Sequence, residues 1–284
     1  MTTSASAPFP WTNPAITPGQ SPEPLLPPDP AQLFRRRADR LRQLADGNSL
    51  RDWLLFVADV SDGQREVAAL PADAPPEGRW RADLEALYPR LRPHLPAAAI
   101  GAVEDVLGQD PGTLTALANR LHNGAPTPAD LPAAPLVMAA LQLAWTRHAA
   151  HIAPSIARPE STMTTCPVCG SAPVAGVIHI GMQSGGLRYL HCGLCHTAWH
   201  HVRATCVACG DGKKVTQRFI EGDSGVARAE TCDSCKSYLK LLHADKAQGL
   251  DPVADDLASL ALDLLVGEEG YRRMGANPFL LQAI

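Results

Sequence analysis

The chain has 284 residues, 45% of them hydrophobic, which is enough to bury a core and to carry one large or two ordinary domains. Its formal net charge of −4 excludes a general attraction to nucleic acid or to an anionic membrane surface. The opening residues MTTSASAPFPW hold no Lys or Arg and no signal-peptide core, so a cytoplasmic protein is expected. The longest apolar stretch, Leu131 to Trp145, is interrupted by Pro132, Pro135 and Gln142. It falls short of the ~20 residues a membrane-crossing helix needs, so no stable membrane insertion is expected.

Residues 1–29 are rich in proline and nearly free of charge, a composition that predicts a disordered tail, with docking of Phe9 and Trp11 as the alternative. Helical periodicity begins at Pro30, where Asp29 supplies an N-cap and Leu33, Phe34, Leu41 and Leu44 form a stripe. Arg35, Arg36, Arg37, Arg40 and Arg42 stud the same segment and read as a solvated face, with a binding face as the alternative. Ser49 is placed to cap a second helix carrying Leu50, Trp53, Leu54, Val57 and Val60, which ends before a Pro-rich linker at Pro71 to Pro76.

Further amphipathic stretches at Trp80 to Leu91, Pro96 to Leu107, Thr113 to His122 and about Asp130 to Ala150 make residues 30–160 an all-helical bundle of five or six helices. Trp53 and Trp145 lie on apolar stripes, as core residues do.

All eight cysteines then fall in four Cys-x-x-Cys pairs. Cys166/Cys169 and Cys192/Cys195 recur, shifted by forty residues, as Cys206/Cys209 and Cys232/Cys235. The shift also carries Gly170 onto Gly210, Gly185 onto Gly225 and Arg188 onto Arg228, so the region is an internal duplication. Two Cys-x-x-Cys turns supply the four sulfurs of a closed tetrahedral centre, and eight cysteines therefore predict two metal ions. The self-contained grouping is Cys166, Cys169, Cys192 and Cys195, then Cys206, Cys209, Cys232 and Cys235; spacing alone leaves a swapped grouping across the copies open. Sulfur ligands suit zinc and iron alike.

Between the knuckles, VAGVIHIG with GGLRYLHC, and KVTQRFIEG with GVARAETC, read as hairpins. The modules span about 161–203 and 204–243, each too small to fold without its metal. His191, His196, His200 and His201 crowd the second knuckle and read as surface histidines or as supports around sulfurs that already fill the shell. Arg188 and Arg228 read as solvated, with a paired basic contact as the alternative. Residues 244–284 return to helix at Asp251 to Val266, with Asp255 and Asp256 suited to its N-terminal dipole, and end in a tail apolar enough to pack back. The fold class is thus α+β: a helical N-terminal bundle, two tandem rubredoxin-like or zinc-ribbon four-cysteine modules, and a C-terminal helix.

From Thr162 to His243 eight Lys and Arg face five Asp and Glu. Two divalent ions, each held by four thiolates, turn that balance to about −1, which leaves no footprint for phosphate. No nucleophile triad, phosphate-binding glycine loop or metalloprotease helix occurs, and the neighbouring acids Asp255/Asp256 and Glu268/Glu269 do not face each other on a helix. An adaptor is expected rather than an enzyme. No feature of the sequence specifies an oligomeric state.

The stretches PLLPPDPAQLFRRRADRLRQLADGNSLRDWLLFVA, CPVCG, CGLC, CVACG, CDSC and DPVADDLASLALDLLVGEEGYRRMGANPFLL together resemble the formate dehydrogenase accessory protein family, FdhE. The resemblance implies a cytoplasmic maturation factor, chaperone-like, that binds the catalytic subunit of a molybdenum- or tungsten-dependent formate dehydrogenase. It also implies rubredoxin-like iron centres, which favours iron over zinc at both sites. The competing functions are a rubredoxin-like electron-transfer protein and, third, a zinc-ribbon nucleic-acid binder.

Overall fold

The computed structural model describes residues 22–69, 75–179 and 186–280. Phe9, Trp11 and most of the Pro-rich linker lie outside them. The first helix, α1 (Pro30–Ala45), starts where the sequence places it: the Asp29 carboxylate accepts from the Ala31 amide at 3.1 Å and Pro30 opens the first turn. Helix α2 (Arg51–Ala68) has no side-chain cap from Ser49; the Asn48 side chain instead accepts from the Leu50 amide and donates to the Ala258 carbonyl, tying the turn to the C-terminal region. Helices α3 (Pro76–Leu91), α4 (Ala97–Leu107), α5 (Pro111–His122) and α6 (Ala134–Ile152) complete the N-terminal bundle of six helices among the described residues. Helix α6 is the spine of the bundle, apolar nearly all round and buried along most of its length, as a central helix must be.

A mixed eight-stranded sheet follows. The first copy of the duplication forms a meander of β2 (Pro173–Ile178), β3 (Arg188–Cys192) and β4 (Ala198–His200), and the second forms β5 (Val215–Arg218), β6 (Ala227–Cys232) and β7 (Ser237–His243). The predicted hairpins are β2 with β3 and β5 with β6; the third strand of each copy has no signal in the sequence reading. The copies are not separate ribbons. Strand β2 pairs in parallel with β7, Gly176 opposite Leu241, so the order runs β4-β3-β2-β7-β6-β5, with β1 (Leu25–Leu26) outside β4, and the copies join head to tail. A Cβ at Gly176 would lie 2.7 Å from a methyl group of Leu241, so any larger residue there would oblige that side chain to shift.

Strand β1 (Leu25–Leu26) pairs antiparallel with β4, Leu25 opposite Trp199. The described end of the proline-rich segment is therefore an edge strand, because it covers backbone groups that β4 would otherwise leave unpaired.

The C-terminal helix expected over Asp251 to Val266 is two helices, α7 (Pro252–Ala258) and α8 (Leu260–Glu268). The break has a local cause. The Ser259 hydroxyl donates to the carbonyls of Asp255 and Asp256, and the buried Lys240 ammonium donates to the carbonyls of Asp256 and Ser259, which satisfies groups that a continued helix would use. After α8, β8 (Arg272–Arg273) pairs with β7.

Two members of the α1 arginine run, Arg37 and Arg40, are docked rather than solvated, while Arg35 and Arg42 are exposed, as a solvated face predicts. Fully buried Arg37 donates to Asp251 at 3.0 Å, and Arg40 grips Asp255 with bonds of 2.6 to 3.2 Å. Asp255 and Asp256 are buried too. Asp256 takes Arg273 at 2.5 Å and Lys240 at 3.2 Å, while Lys240 also reaches Asp263 at 2.5 Å. Helix α7 thus sits between the bundle and the sheet, fixed to both by buried ion pairs.

Candidate metal centres

The knuckles are local structures that the sequence encodes. Gly170 and Gly210, each following the second cysteine of its pair, have φ of 76°, and the amides of both return to the carbonyl of the first cysteine, at 2.9 and 2.8 Å. The later knuckles use the same left-handed position without glycine: His196 has φ of 60° and Lys236 has φ of 57°. Both are held by side-chain partners, His196 Nδ1 lying 2.7 Å from Thr146 Oγ1 and Lys236 Nζ lying 2.6 Å from Asp233.

All eight cysteines are free, and the sulfurs gather within each copy. Cys166, Cys169, Cys192 and Cys195 form one group and Cys206, Cys209, Cys232 and Cys235 the other, each with its sulfurs within 4.8 Å of one another. Sulfur separations include 3.4 Å for Cys166–Cys195 and Cys169–Cys192, 3.6 Å for Cys206–Cys235 and 3.7 Å for Cys209–Cys232. A tetrahedral ion with metal–sulfur bonds of about 2.3 Å requires sulfur edges of about 3.8 Å. A disulfide would require about 2.05 Å. Both sets therefore suit a four-thiolate ion, and the swapped grouping does not occur.

One contributor escaped the sequence reading. The residue two places after the second cysteine of each knuckle is polar, and its side chain or amide meets sulfur: Ser171 Oγ lies 3.3 Å from Cys169 Sγ, Thr197 Oγ1 3.3 Å from Cys195 Sγ and Ser237 Oγ 2.9 Å from Cys235 Sγ, while the Asp211 amide serves Cys209. The signal was present as Ser, Thr, Asp and Ser at matched offsets. Such groups steady thiolate charge. His122 at the end of α5 continues the first chain, its Nε2 lying 2.8 Å from Ser171 Oγ.

The electrostatics show why four clustered thiols invite a metal. Hydrogen bonds from Cys166, Cys192 and Cys195 hold the Cys169 thiol far below its ordinary range, while burial pushes Cys192 and Cys195 up. In the second set the Asp211 amide works to lower Cys209, but desolvation and three sulfur neighbours raise it to about 12. Desolvation works to raise Cys235, but Ser237 and neighbouring thiols bring it to about 7. Without an ion the sulfurs share protons; an ion displaces them, so affinity falls with acidity.

The four histidines are not surface groups as a class. His191, His196 and His201 are buried and His200 is half-buried. Burial, reinforced for His196 by Arg37, holds His191 and His196 well below the ordinary imidazole range; His191 stacks on His179 and His196 bonds Thr146. Arg188 is likewise not solvated. It is buried at the joint between copies, paired with Glu230 at 2.6 Å, with His201 Nδ1 2.9 Å away and the Val202 and Thr205 carbonyls accepting from it. Arg228, its duplicate, is half-buried, rests over Phe219 and donates to Gln217, so the equivalence in sequence is not one in role.

The bundle meets the first centre directly. Gln142 of α6 donates to the Gly193 carbonyl at 2.7 Å, inside the second knuckle. Beside it, a cleft of about 450 Å³ opens between α5, α6, the first knuckle and the segment 273–278, lined by Leu121, His122, Met138, Ser171, Arg273 and Met274 among others. No helix among the described residues is long and apolar enough to cross a membrane.

A helical platform bearing a duplicated, head-to-tail four-cysteine ribbon defines a protein with two sites that could each hold a metal ion. Family profiles described as "FdhE, N-terminal", "FdhE, central domain" and "FdhE, C-terminal domain" match residues 22–79 with 70–162, 165–203 and 204–280. The chain is 37% identical to "Protein FdhE homolog" of Cronobacter sakazakii and 36% identical to "Protein FdhE" of Escherichia coli, over 90% of this chain and 91% of each relative. The crystal structure of the FdhE protein from Pseudomonas aeruginosa superposes with a TM-score of 0.80 at 33% identity, covering 92% of this chain and all of that one. The chain belongs to the FdhE family.

Proposed function

We propose that this chain is a cytoplasmic accessory protein of formate dehydrogenase, an adaptor rather than an enzyme, that binds the catalytic subunit during its maturation. The observation that carries the reading is family membership across the bundle and both four-cysteine modules together. Eight free cysteines suit a reducing compartment. In this reading Cys166, Cys169, Cys192 and Cys195 hold one mononuclear ion and Cys206, Cys209, Cys232 and Cys235 a second, with iron favoured over zinc. The ion supplies crosslinking of four chain segments, and iron in addition supplies a one-electron couple. The chain's own residues position the thiolates, donate hydrogen bonds to them and attach the ribbons to the bundle. The cleft beside the first centre, walled by both parts of the molecule, is where a client segment would touch ribbon and platform at once.

The test is an anaerobic pull-down of the formate dehydrogenase catalytic subunit, with metal analysis, using Cys→Ser variants in each copy whose helices survive by circular dichroism. The expected result is two equivalents of metal and loss of client binding in the variants. Variants that lack metal yet bind the subunit and restore its activity would remove the ribbons from the function.

A second reading, electron transfer at a rubredoxin-like centre, is supported by the exposure of Cys209 and Cys235. It requires iron in the isolated protein and a reversible visible spectrum.

A further inference from the structure

The two centres arose by duplication and are not equivalent. In the first set Cys166, Cys192 and Cys195 are buried and Cys169 is half-buried; in the second, Cys209 and Cys235 are exposed. The difference lies in what covers the knuckles. Between Cys192 and Cys195 the chain places Gly193 and Leu194, both buried. Gly193 is roofed by Pro278, which a Cβ there would approach to 3.1 Å, and its carbonyl is occupied by Gln142 of α6. After Cys195, His196 turns into the bundle against Thr146 and Phe34.

Forty residues on, the same positions are Asp233, Ser234 and Lys236, all exposed, and Ala208 and Gly210 flanking Cys209 are exposed as well. Among the described residues α6 packs on the second knuckle of the first copy, whereas the equivalent knuckle of the second copy meets the Tyr271 hydroxyl, which donates to Asp233 at 2.8 Å.

From this we infer that the second centre is open to ligand exchange with an external soft donor, a thiolate or a chelator, and that the first is closed to it. Exchange at a four-thiolate ion begins when an incoming donor contributes an electron pair to the metal and one cysteine sulfur leaves it, to be protonated by solvent. That step needs a line of approach and room for the departing side chain. Cys209 and Cys235 offer both, on opposite knuckles of the same centre, while the first centre is enclosed by α6, the C-terminal segment and the sheet. The inference rests on the metal centres proposed above and not on the client.

The experiment uses the full chain loaded with two equivalents of zinc and challenged with excess 4-(2-pyridylazo)resorcinol. One equivalent should leave roughly tenfold faster than the other, in keeping with the effect that groups surrounding the ligands have on metal retention. During that fast phase iodoacetamide should modify Cys209 and Cys235 while Cys166, Cys192 and Cys195 stay unmodified by peptide mass spectrometry. Cys206→Ser should remove the fast equivalent and keep the slow one; if that variant does not fold, the labelling order of the unaltered protein decides alone. Release of both equivalents at one rate, or first modification in the 166–195 set, overturns the inference. A chain that takes up no zinc, or a single ion, overturns the metal reading beneath it as well.

Discussion

Buried charge fixes several single residues of this protein. Asp256 and Lys240 are fully buried, and Asp256 also receives Arg273 and the Asn277 amide at 2.8 Å. Removing Asp256 leaves Lys240 and Arg273 to share a single carboxylate, Asp263, in a region that cannot hydrate the excess charge. Asp256→Ala should destabilise the protein by about 3–5 kcal/mol, read as a shift in the urea midpoint at constant slope. Exposed pairs such as Arg51 with Asp52 should give less than about 1 kcal/mol in the same assay. Gly275 is constrained by space: a Cβ there would overlap the Pro173 carbonyl, so Gly275→Ala should lift the C-terminal segment from β2. Faster proteolysis after residue 270 would report it.

At the scale of elements, the turn between α5 and α6 is tied by Asp130, which accepts from Arg120 at 2.9 and 2.7 Å and from the Thr127 amide and hydroxyl at 2.8 Å. The Arg120 bonds, followed by those from Thr127, outweigh desolvation and lower this carboxyl to about 2. The unfolded group titrates near the ordinary carboxylate value of about 3.9. A depressed folded pKa contributes stability that is fully present above the unfolded value and is lost as pH falls through the folded one. Asp130→Asn should therefore lower stability at pH 7, and the difference from the unaltered protein should close between about pH 4 and pH 2, in parallel urea titrations.

The metal modules should respond differently from the helices. Each copy has too little core to stand without its ion, whose contribution is of the order of 10–16 kcal/mol in small structural zinc sites. Chelation at neutral pH should abolish protection of amides in β5 and β6 while α2 and α6 keep theirs, read by hydrogen exchange.

For the whole molecule, the decisive joint is β2 against β7, reinforced by Arg188 and Glu230 from different copies. Burial lowers the Arg188 pKa and raises that of Glu230, each opposed by the charge of the other, so each is held as the other's counter-ion. Arg188→Met alone should cost about 3–5 kcal/mol by leaving the Glu230 carboxylate buried and unpaired. Adding Glu230→Leu should recover much of that loss. A double variant as unstable as the single one would show that the arginine's bonds to Val202 and Thr205, and not its charge, secure the joint.

The sequence by itself determined whatever depends on near neighbours: helices from three-to-four-residue apolar spacing, the cap at Asp29, and eight sulfurs in paired knuckles from the forty-residue repeat, whose grouping within each copy the fold then decided. Those patterns are written within a few residues, or within one module, and elementary geometry is enough to read them. Tertiary structure decided the fate of each charge. Arg37 meets Asp251 across 214 positions of chain. No local pattern separates an arginine that faces water from one that faces a buried carboxylate, which is why Arg37, Arg40, the Asp255/Asp256 pair and Arg188 read as solvated or dipole-directed groups. The same holds for the join between copies and for the unequal cover of the two centres. A duplicated sequence encodes two like knuckle sets, but there is one bundle to pack against them, and its contact with the first leaves the second at the surface.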